Sequence, residues 1–139
     1  MSAQGKVNCD DERLIEAAKS VQGGFPLRGD FSAGAVGAAI LTSKGNIYTG
    51  ICIDLACGLG FCAEAAAVSE MLKNRETHIV AVAAIGDNGQ IMAPCGRCRE
   101  TIIQLDQRNI DCRVLLSGGR SATLGALLQE HWLAPNHKS

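Results

Sequence analysis

Three cysteines and one glutamate have the types and the spacing of a metal-dependent catalytic site. Cys62 and Glu64 stand two residues apart in the stretch GFCAEAAAVSEM, and Cys95 and Cys98 stand three apart in APCGRCRE. Both stretches read as helix starts, where unpaired N–H groups and the helix dipole lower the pKa of a thiol and favour the thiolate. Residues three apart share a helix face, so Cys95 and Cys98 can bind one ion together.

Zinc is the metal that this ligand set predicts. Thiolates in a tetrahedral arrangement select Zn²⁺, and three protein ligands leave one coordination position open, which is typical of a catalytic site. Glu64 is close enough to Cys62 to reach a water molecule there, and we predict that it moves the protons. The alternatives are a structural zinc site, with Cys57 as the first candidate for a fourth ligand, or three small buried side chains.

The other cysteines and two of the histidines are interpreted as packing or surface residues. Cys112 starts an apolar segment and Cys52 lies within one, so both are expected to be buried, whereas Cys9 is expected to be exposed. We interpret His78, just before an apolar run, as a surface or edge residue, and we place His137 in a frayed C-terminal tail.

The composition points to one domain, residues 1–139, that acts on a small molecule. The net charge is −1 and aromatic residues make up 4% of the chain, so neither a basic surface nor a stacking platform for nucleic acid is expected. The absence of a signal-like or membrane-length apolar stretch predicts a cytoplasmic protein without membrane contact. Seven cysteines, an odd number, argue against a disulfide framework.

The segments around these residues predict helices that alternate with strands, and therefore a layered α/β domain with right-handed crossovers between its later parallel strands. The predicted elements are a helix over 11–22 with Asp10 or Asp11 as N-cap, a hairpin over 35–54 that turns at Lys44-Gly45-Asn46, a helix from Cys62 to about Asn74, a buried strand over 78–86, a helix started by Pro94, a buried strand over 112–117, and a short terminal helix over 122–132.

The pattern Cys62-Ala63-Glu64, followed after a gap by Pro94-Cys95-Gly96-Arg97-Cys98-Arg99, resembles the signature of the cytidine deaminase superfamily. The three-cysteine set and the short chain are similar to the small tetrameric cytidine deaminases and, more closely, to the blasticidin-S deaminases, over about residues 11–133. The resemblance implies a three-layer α/β/α fold with a mixed five-stranded sheet, and a homotetramer whose sites lie near subunit interfaces.

The same resemblance implies hydrolytic deamination of a cytosine-type nucleoside. With Zn²⁺ as cofactor, water attacks the ring carbon that carries the exocyclic amine, and ammonia leaves. Glu64 would take a proton from the water, protonate the ring nitrogen and assist the departing amine. The backbone of Ala63 and of Ala93 would contact the base, and Trp132 would close over it. His131, its neighbour, is interpreted as a surface residue or as part of the pocket rim.

Two departures from the family pattern concern the substrate. An Asn-x-Glu pair that serves the ribose hydroxyls is replaced here by Cys52 and Asp54, of which only Asp54 can readily accept a hydroxyl hydrogen bond. FSAGAVGA, residues 31–38, stands where YSKFRVGA is usual, so Gly34 and Ala35 suggest a roomier pocket. Blasticidin S therefore joins cytidine and deoxycytidine as a predicted substrate, and a free base, guanine or a triazine remains an alternative.

A third departure concerns the charge of the metal site. Many three-cysteine members have arginine after the glutamate, where this chain has Ala65. Three thiolates give a Zn²⁺ site a net charge of about −1, which makes bound water less acidic unless nearby donors withdraw charge. We predict that Arg97 does so, with Arg99 as second candidate. The alternative from another class is a non-catalytic zinc-binding protein, in which Glu64 would have no role.

Overall fold

The computed structural model describes residues 8–133, which form a sheet with helices on both of its faces. The elements in chain order are α1 (Cys9–Val21), β1 (Phe25–Pro26), β2 (Ser32–Thr42), β3 (Ile47–Asp54), α2 (Ala63–Lys73), β4 (Ile79–Ile85), α3 (Gly96–Leu105), a 3₁₀ helix (Gln107–Asp111), β5 (Arg113–Leu116), a second 3₁₀ turn (Ser117–Gly119), β6 (Arg120–Thr123) and α4 (Leu124–Leu127). None of the helices in this range is long and apolar enough to cross a membrane.

The sheet is mixed and contains five main strands in the order β3-β2-β4-β5-β6. Strands β4 and β5 are parallel and are joined through α3, whereas every other neighbouring pair is antiparallel. The two-residue strand β1 pairs with the start of β2 and was not expected from the sequence. The predicted mixed five-stranded sheet is thus confirmed, with one short added segment.

Alternating side chains of the central strands separate the core into two layers. On β2, Ala39 and Leu41 pack with Leu14 of α1, while Ile40 packs with Met71 of α2 and Ile102 of α3. Successive residues of a strand point to opposite faces, so α1 covers one face and α2 with α3 covers the other. This arrangement confirms the predicted three-layer α/β/α fold.

Two glycines bring the helices unusually close to the sheet. A Cβ atom on Gly50 of β3 would lie 2.4 Å from the backbone nitrogen of Ala67 in α2. On the other face, a Cβ atom on Gly37 of β2 would lie 2.5 Å from the carbonyl oxygen of Ala18 in α1. The absence of a side chain at each position therefore sets the distance between helix and strand.

The N-cap predicted for α1 was wrong. Asn8 is the cap: its side chain accepts from the Asp11 N–H at 3.0 Å, and Asp11 in return accepts from the Asn8 N–H at 3.1 Å. Asp11, fully buried, also forms an ion pair with Arg113 of β5 at 2.5 Å. Asp11 is therefore the N3 residue of a capping box, and its carboxylate also links α1 to the sheet.

The predicted terminal helix over 122–132 is much shorter in the structure, and Pro94 does not start α3. Residues Arg120–Thr123 form β6, which pairs with β5, so helical backbone is confined to Leu124–Leu127. The N-cap of α3 is Cys95, one residue after Pro94. Pro94 thus restricts the backbone of the segment that precedes α3 and is not part of the first turn of that helix.

Candidate active site

Helices α2 and α3 begin next to each other, and each has a cysteine as its N-cap. Cys62 caps α2 and Cys95 caps α3, while Cys98 is the third residue of α3. The Cys62 sulfur lies 3.5 Å from the Cys95 sulfur, which lies 3.6 Å from the Cys98 sulfur. The three sulfur atoms all lie within 4.8 Å of one another, and all three residues are free thiols.

This geometry fits a zinc ion. Tetrahedral Zn–S bonds of ~2.3 Å place neighbouring sulfurs ~3.8 Å apart, close to the separations found here. Three thiolates complete all but one of the four positions of tetrahedral zinc. Cys57, the candidate for a fourth ligand, is exposed at a positive φ of 60° and is not part of the cluster within residues 8–133. The ligand set is therefore that of an open site.

Glu64 is the second residue of α2 and only 5% of it is exposed. Burial raises its pKa, whereas hydrogen bonds from its own backbone N–H and from the Cys98 thiol act in the opposite direction. The buried carboxyl is therefore adjacent to the thiol cluster, and its pKa is raised by burial. Both properties suit a group that transfers protons.

The thiols differ in their readiness to ionise. Burial raises the pKa of Cys62 and, more strongly, that of Cys98, where the nearby Glu64 carboxylate adds to the effect. Burial acts in the same sense on Cys95, but hydrogen bonds from the N–H groups of Cys98 and Arg97 and from the other two thiols lower its pKa overall. A bound Zn²⁺ ion favours the thiolate at all three positions, since it adds positive charge among them.

A cavity of about 530 Å³ opens beside the thiol cluster. Its charged side chains are Asp54 at the end of β3, Glu64 at the start of α2, and Arg97 in the first turn of α3. Ala63 and Ala93, predicted to contact the base, line it as well. The structure thus places residues of three sequence segments, 54, 63–64 and 93–97, around one cavity.

Two other predicted residues occupy different surroundings. Arg99 donates from Nε to the Pro94 carbonyl at 2.8 Å and from Nη1 to the Leu127 carbonyl at 3.0 Å, so it joins the start of α3 to the end of α4. Trp132 is 61% exposed, and its backbone N–H donates to Oε1 of Glu100 in α3. In the described part of the chain, neither Arg99 nor Trp132 lines the cavity.

The remaining histidines and cysteines largely follow the sequence interpretation. Cys112 is buried, with burial raising its pKa to about 12, and Cys9 is exposed. His78 is half-buried, just before β4, and His131 is half-buried with no hydrogen-bond partner for its Nδ1 atom within residues 8–133. The prediction for His137 concerns a residue outside the described range.

The apolar walls of the cavity are what the sequence interpretation missed. Cys52 is buried as expected, but it also lines the cavity, with Phe61 and Met92 among the apolar residues around it. The position of Phe61 directly before Cys62, and of Met92 directly before Ala93, was the available signal. Residues next to predicted site residues in sequence could have been expected beside them in space.

Comparison with known proteins agrees with this geometry. A family model described as the cytidine and deoxycytidylate deaminase zinc-binding region matches residues 9–113. A cytidine deaminase of Mycobacterium tuberculosis is 35% identical over 75 residues, covering 53% of this chain and 56% of that protein. A cytidine deaminase of Halalkalibacterium halodurans is 33% identical over 98 residues, covering 69% of this chain and 72% of that protein.

Solved structures extend the similarity to most of the chain. The crystal structure of cytidine deaminase from Mycobacterium tuberculosis has a TM-score of 0.75 and 28% identity, covering 90% of this chain and 98% of that one. The cytidine deaminase structure from Burkholderia pseudomallei has a TM-score of 0.70 and 29% identity, covering 87% and 98%. The sequence alignment with the M. tuberculosis relative nonetheless spans only about half of that protein. The matched zinc-binding region and the thiol cluster together identify the cofactor as Zn²⁺.

Proposed function

The chain belongs to the cytidine and deoxycytidylate deaminase family, and on that premise we propose that it hydrolyses the ring amine of a cytosine-type nucleoside to a carbonyl and ammonia. The substrates included in the proposal are cytidine, deoxycytidine and blasticidin S. The observation that carries it is the burial of Glu64 between three clustered thiols and a cavity of substrate size.

Cys62, Cys95 and Cys98 would hold the zinc ion through their sulfur atoms. When bound, the ion supplies a Lewis acid that makes a water molecule a usable nucleophile near neutral pH. The N–H groups of Arg97 and Cys98, which already point to the Cys95 sulfur, stabilise the negative charge of that ligand. The first turn of α3 therefore favours the thiolate of Cys95 before any substrate is present.

Glu64 would move the protons of the reaction. Its buried carboxylate accepts a proton from the attacking water, delivers a proton to the ring nitrogen and assists the amine as it leaves. A raised pKa serves this role, because the group must both accept and release a proton during one turnover. A positioned acid-base group typically accelerates such a step by about 10²- to 10⁴-fold.

The cavity suits a flat ring with a substituent. Its volume of about 530 Å³ falls within the usual range for small-molecule sites, and most of its lining is apolar. Backbone groups of Ala63 and Ala93 would contact the base, and Asp54, which lines the same cavity, would accept a hydrogen bond from a sugar substituent. An amino-heterocycle without a sugar remains the second candidate, since Cys52 stands where the family pattern has an amide.

The test is ammonia release by zinc-loaded protein against cytidine, deoxycytidine, blasticidin S, cytosine, guanine and amino-triazines. Glu64→Gln should reduce the turnover rate by at least about 10²-fold while zinc content is retained. Glu70→Gln is the matched control, since Glu70 lies on the exposed side of the same helix. Turnover of guanine or a triazine alone would replace the proposed substrate class. Full activity of Glu64→Gln would refute the proposed proton-transfer role of Glu64, and no turnover by a fully zinc-loaded parent would support a non-catalytic zinc protein instead.

The homotetramer expected from the resemblance belongs to this proposal. Support comes from exposed apolar side chains near the cavity, of which Leu59 is 69% and Met92 44% exposed. Burial of such residues between subunits would remove apolar area from water. Sedimentation equilibrium should give four times the chain mass of 14.6 kDa, and a monomer would contradict this part of the proposal.

A further inference from the structure

Cys52 makes two hydrogen bonds at the wall of the cavity. Its sulfur accepts from the backbone N–H of Val36 in β2 at 3.3 Å, and its thiol donates to Oδ2 of Asp54 at 3.7 Å. Only 7% of Cys52 is exposed, whereas Asp54 is exposed. All three residues line the cavity. The thiol therefore connects the backbone of one strand to a carboxylate at the end of the next.

The positions of the two side chains follow from strand geometry. Residues two apart on a strand point to the same face, so Cys52 and Asp54 both face the layer that contains α2. Cys52 packs with Ala63, the first residue of α2, and with Ala38 and Ala84 of the neighbouring strands. Packing on all these sides fixes the sulfur, and the hydrogen bond from the sulfur then restricts the orientation of the Asp54 carboxylate.

These contacts determine what this part of the cavity can offer a ligand. A thiol has a single hydrogen, and that of Cys52 is directed to Asp54. The N–H of Val36 is directed to the sulfur. Of the polar groups in this trio, Oδ1 of Asp54 remains as an acceptor with negative charge. The site thus differs from an amide-containing one, which would offer a donor and an acceptor together.

We propose that Cys52 is a positioning residue that orients Asp54 to accept a hydrogen bond from a donor substituent of the substrate, either a hydroxyl or an ammonium group. The inference rests on the proposed function, because it assumes that a cytosine ring lies near Glu64. A substituent that can donate is bound at this end of the cavity. A substituent that lacks a donor makes no hydrogen bond to Asp54, so its binding does not depend on Cys52.

The experiment measures binding directly, in the Glu64→Gln background, so that turnover does not interfere. Dissociation constants are determined by titration calorimetry for cytidine, for 3′-amino-2′,3′-dideoxycytidine and for 2′,3′-dideoxycytidine. Cys52→Ala removes both hydrogen bonds, and Cys52→Ser retains a donor. Cys52→Val, which fills the space without a donor, replaces Cys52→Ala if that variant does not fold. Zinc content and thermal unfolding are measured for each protein.

Loss of the orienting bond should weaken binding of the first two ligands by about three- to tenfold, the usual cost of ordering one side chain upon binding. Binding of 2′,3′-dideoxycytidine should not change, and Cys52→Ser should restore most of the loss. 2′-Deoxycytidine, which differs from the amino compound only in its 3′ substituent, is titrated as well. Tighter binding of the amino compound than of 2′-deoxycytidine would identify ammonium as the preferred donor, and the reverse order would identify hydroxyl.

Two results would overturn the inference. An equal loss for all the ligands would mean that Cys52 acts through packing alone, and no loss for any ligand would mean that it has no positioning role. Failure of the proposed function gives a different result, since no cytosine nucleoside would then bind to the zinc-loaded Glu64→Gln protein with Cys52 intact.

Discussion

Replacement of Gly50 by alanine should separate the stability of the fold from the integrity of the zinc site. The added Cβ atom would lie 2.4 Å from the Ala67 nitrogen, 2.6 Å from the Ala63 carbonyl oxygen and 2.6 Å from the Ala66 Cβ. Two of these three atoms belong to the backbone, so a change of side-chain rotamer cannot relieve the overlap. Helix α2 itself must move away from β3.

The required displacement can be read from the distances. Ordinary contact begins at 3.4 Å, so the helix must move by about 1 Å. Overpacking of this kind typically costs about 1–3 kcal/mol of the free energy of unfolding. Zinc sites tolerate much less, since ligand distances must stay within about 0.2 Å of their ideal values. Because Cys62 and Glu64 are at the start of α2, we expect Gly50→Ala to weaken zinc binding by at least about tenfold.

Gly37→Ala is the matched control for this variant. Its Cβ atom would meet the Ala18 carbonyl oxygen at 2.5 Å, nearly the same overlap, but on α1, which contributes no thiol to the cluster. The free energy of unfolding is measured by denaturant titration with a chelator present, so that zinc does not contribute. Zinc affinity is measured separately, by competition with a chromophoric chelator. Both variants should lose about 1–3 kcal/mol, and only Gly50→Ala should lose zinc affinity.

An equal loss of zinc affinity in both variants would refute this reasoning. Zinc binding would then depend on global stability rather than on the position of α2. Unchanged zinc affinity in Gly50→Ala, together with the expected destabilisation, would refute it in another way. That result would mean that the start of α2 moves independently of its middle.

Two further predictions concern charges. Arg97→Ala should weaken zinc binding and shift the acid limb of the pH–rate profile to higher pH, because a cation beside the thiolates is lost. An unchanged affinity and profile would contradict the proposed role of Arg97. Arg99→Ala should instead lower the free energy of unfolding, since it removes two hydrogen bonds to backbone carbonyls. The Arg108 guanidinium holds the pKa of Asp106 well below its usual range. Ionised Asp106 therefore contributes to the free energy of unfolding at pH values above the unfolded-state pKa of about 4, and this contribution is lost as the pH falls through the folded-state pKa. Asp106→Asn should therefore be less stable than the parent at pH 7 in chelator-treated denaturant titrations, and the difference should narrow as the pH is lowered below 4; a constant difference would argue against this linkage.

The thiol cluster, and the position of Glu64 beside it, could be predicted because their signals are local. Cys95 and Cys98 are three apart at a helix start, so their spacing places them on one face, and Glu64 follows Cys62 within the first turn of the other helix. Only the approach of the two helix starts required the fold. The central hairpin and the buried strand β4 were equally readable, since turn residues and long apolar runs mark them.

Elements that depend on a partner strand or on a distant side chain were not readable in this way. Strand β6, with the sequence RSAT, contains a single apolar residue, and it is a strand because β5 supplies hydrogen bonds along one edge. The cap of α1 lies at Asn8, before the apolar pattern begins, while Asp11 is engaged by Arg113, 102 positions away. Sequence patterns report the preferences of one segment, whereas strand pairing and ion pairing depend on contacts between segments that are distant in sequence.

Substrate choice is subject to the same limitation, and Cys52 shows why. From sequence, a cysteine within an apolar strand is a small hydrophobic residue, and that interpretation is correct as far as burial goes. Its thiol contacts the Val36 N–H across the sheet and the Asp54 carboxylate along its own strand, and only the first contact depends on the register of β2 against β3. A one-residue change of that register would point the opposite set of side chains into the cavity. The proposed reaction chemistry therefore depends on two helix starts, whereas the proposed recognition of the substituent depends on strand register, which neither motif encodes.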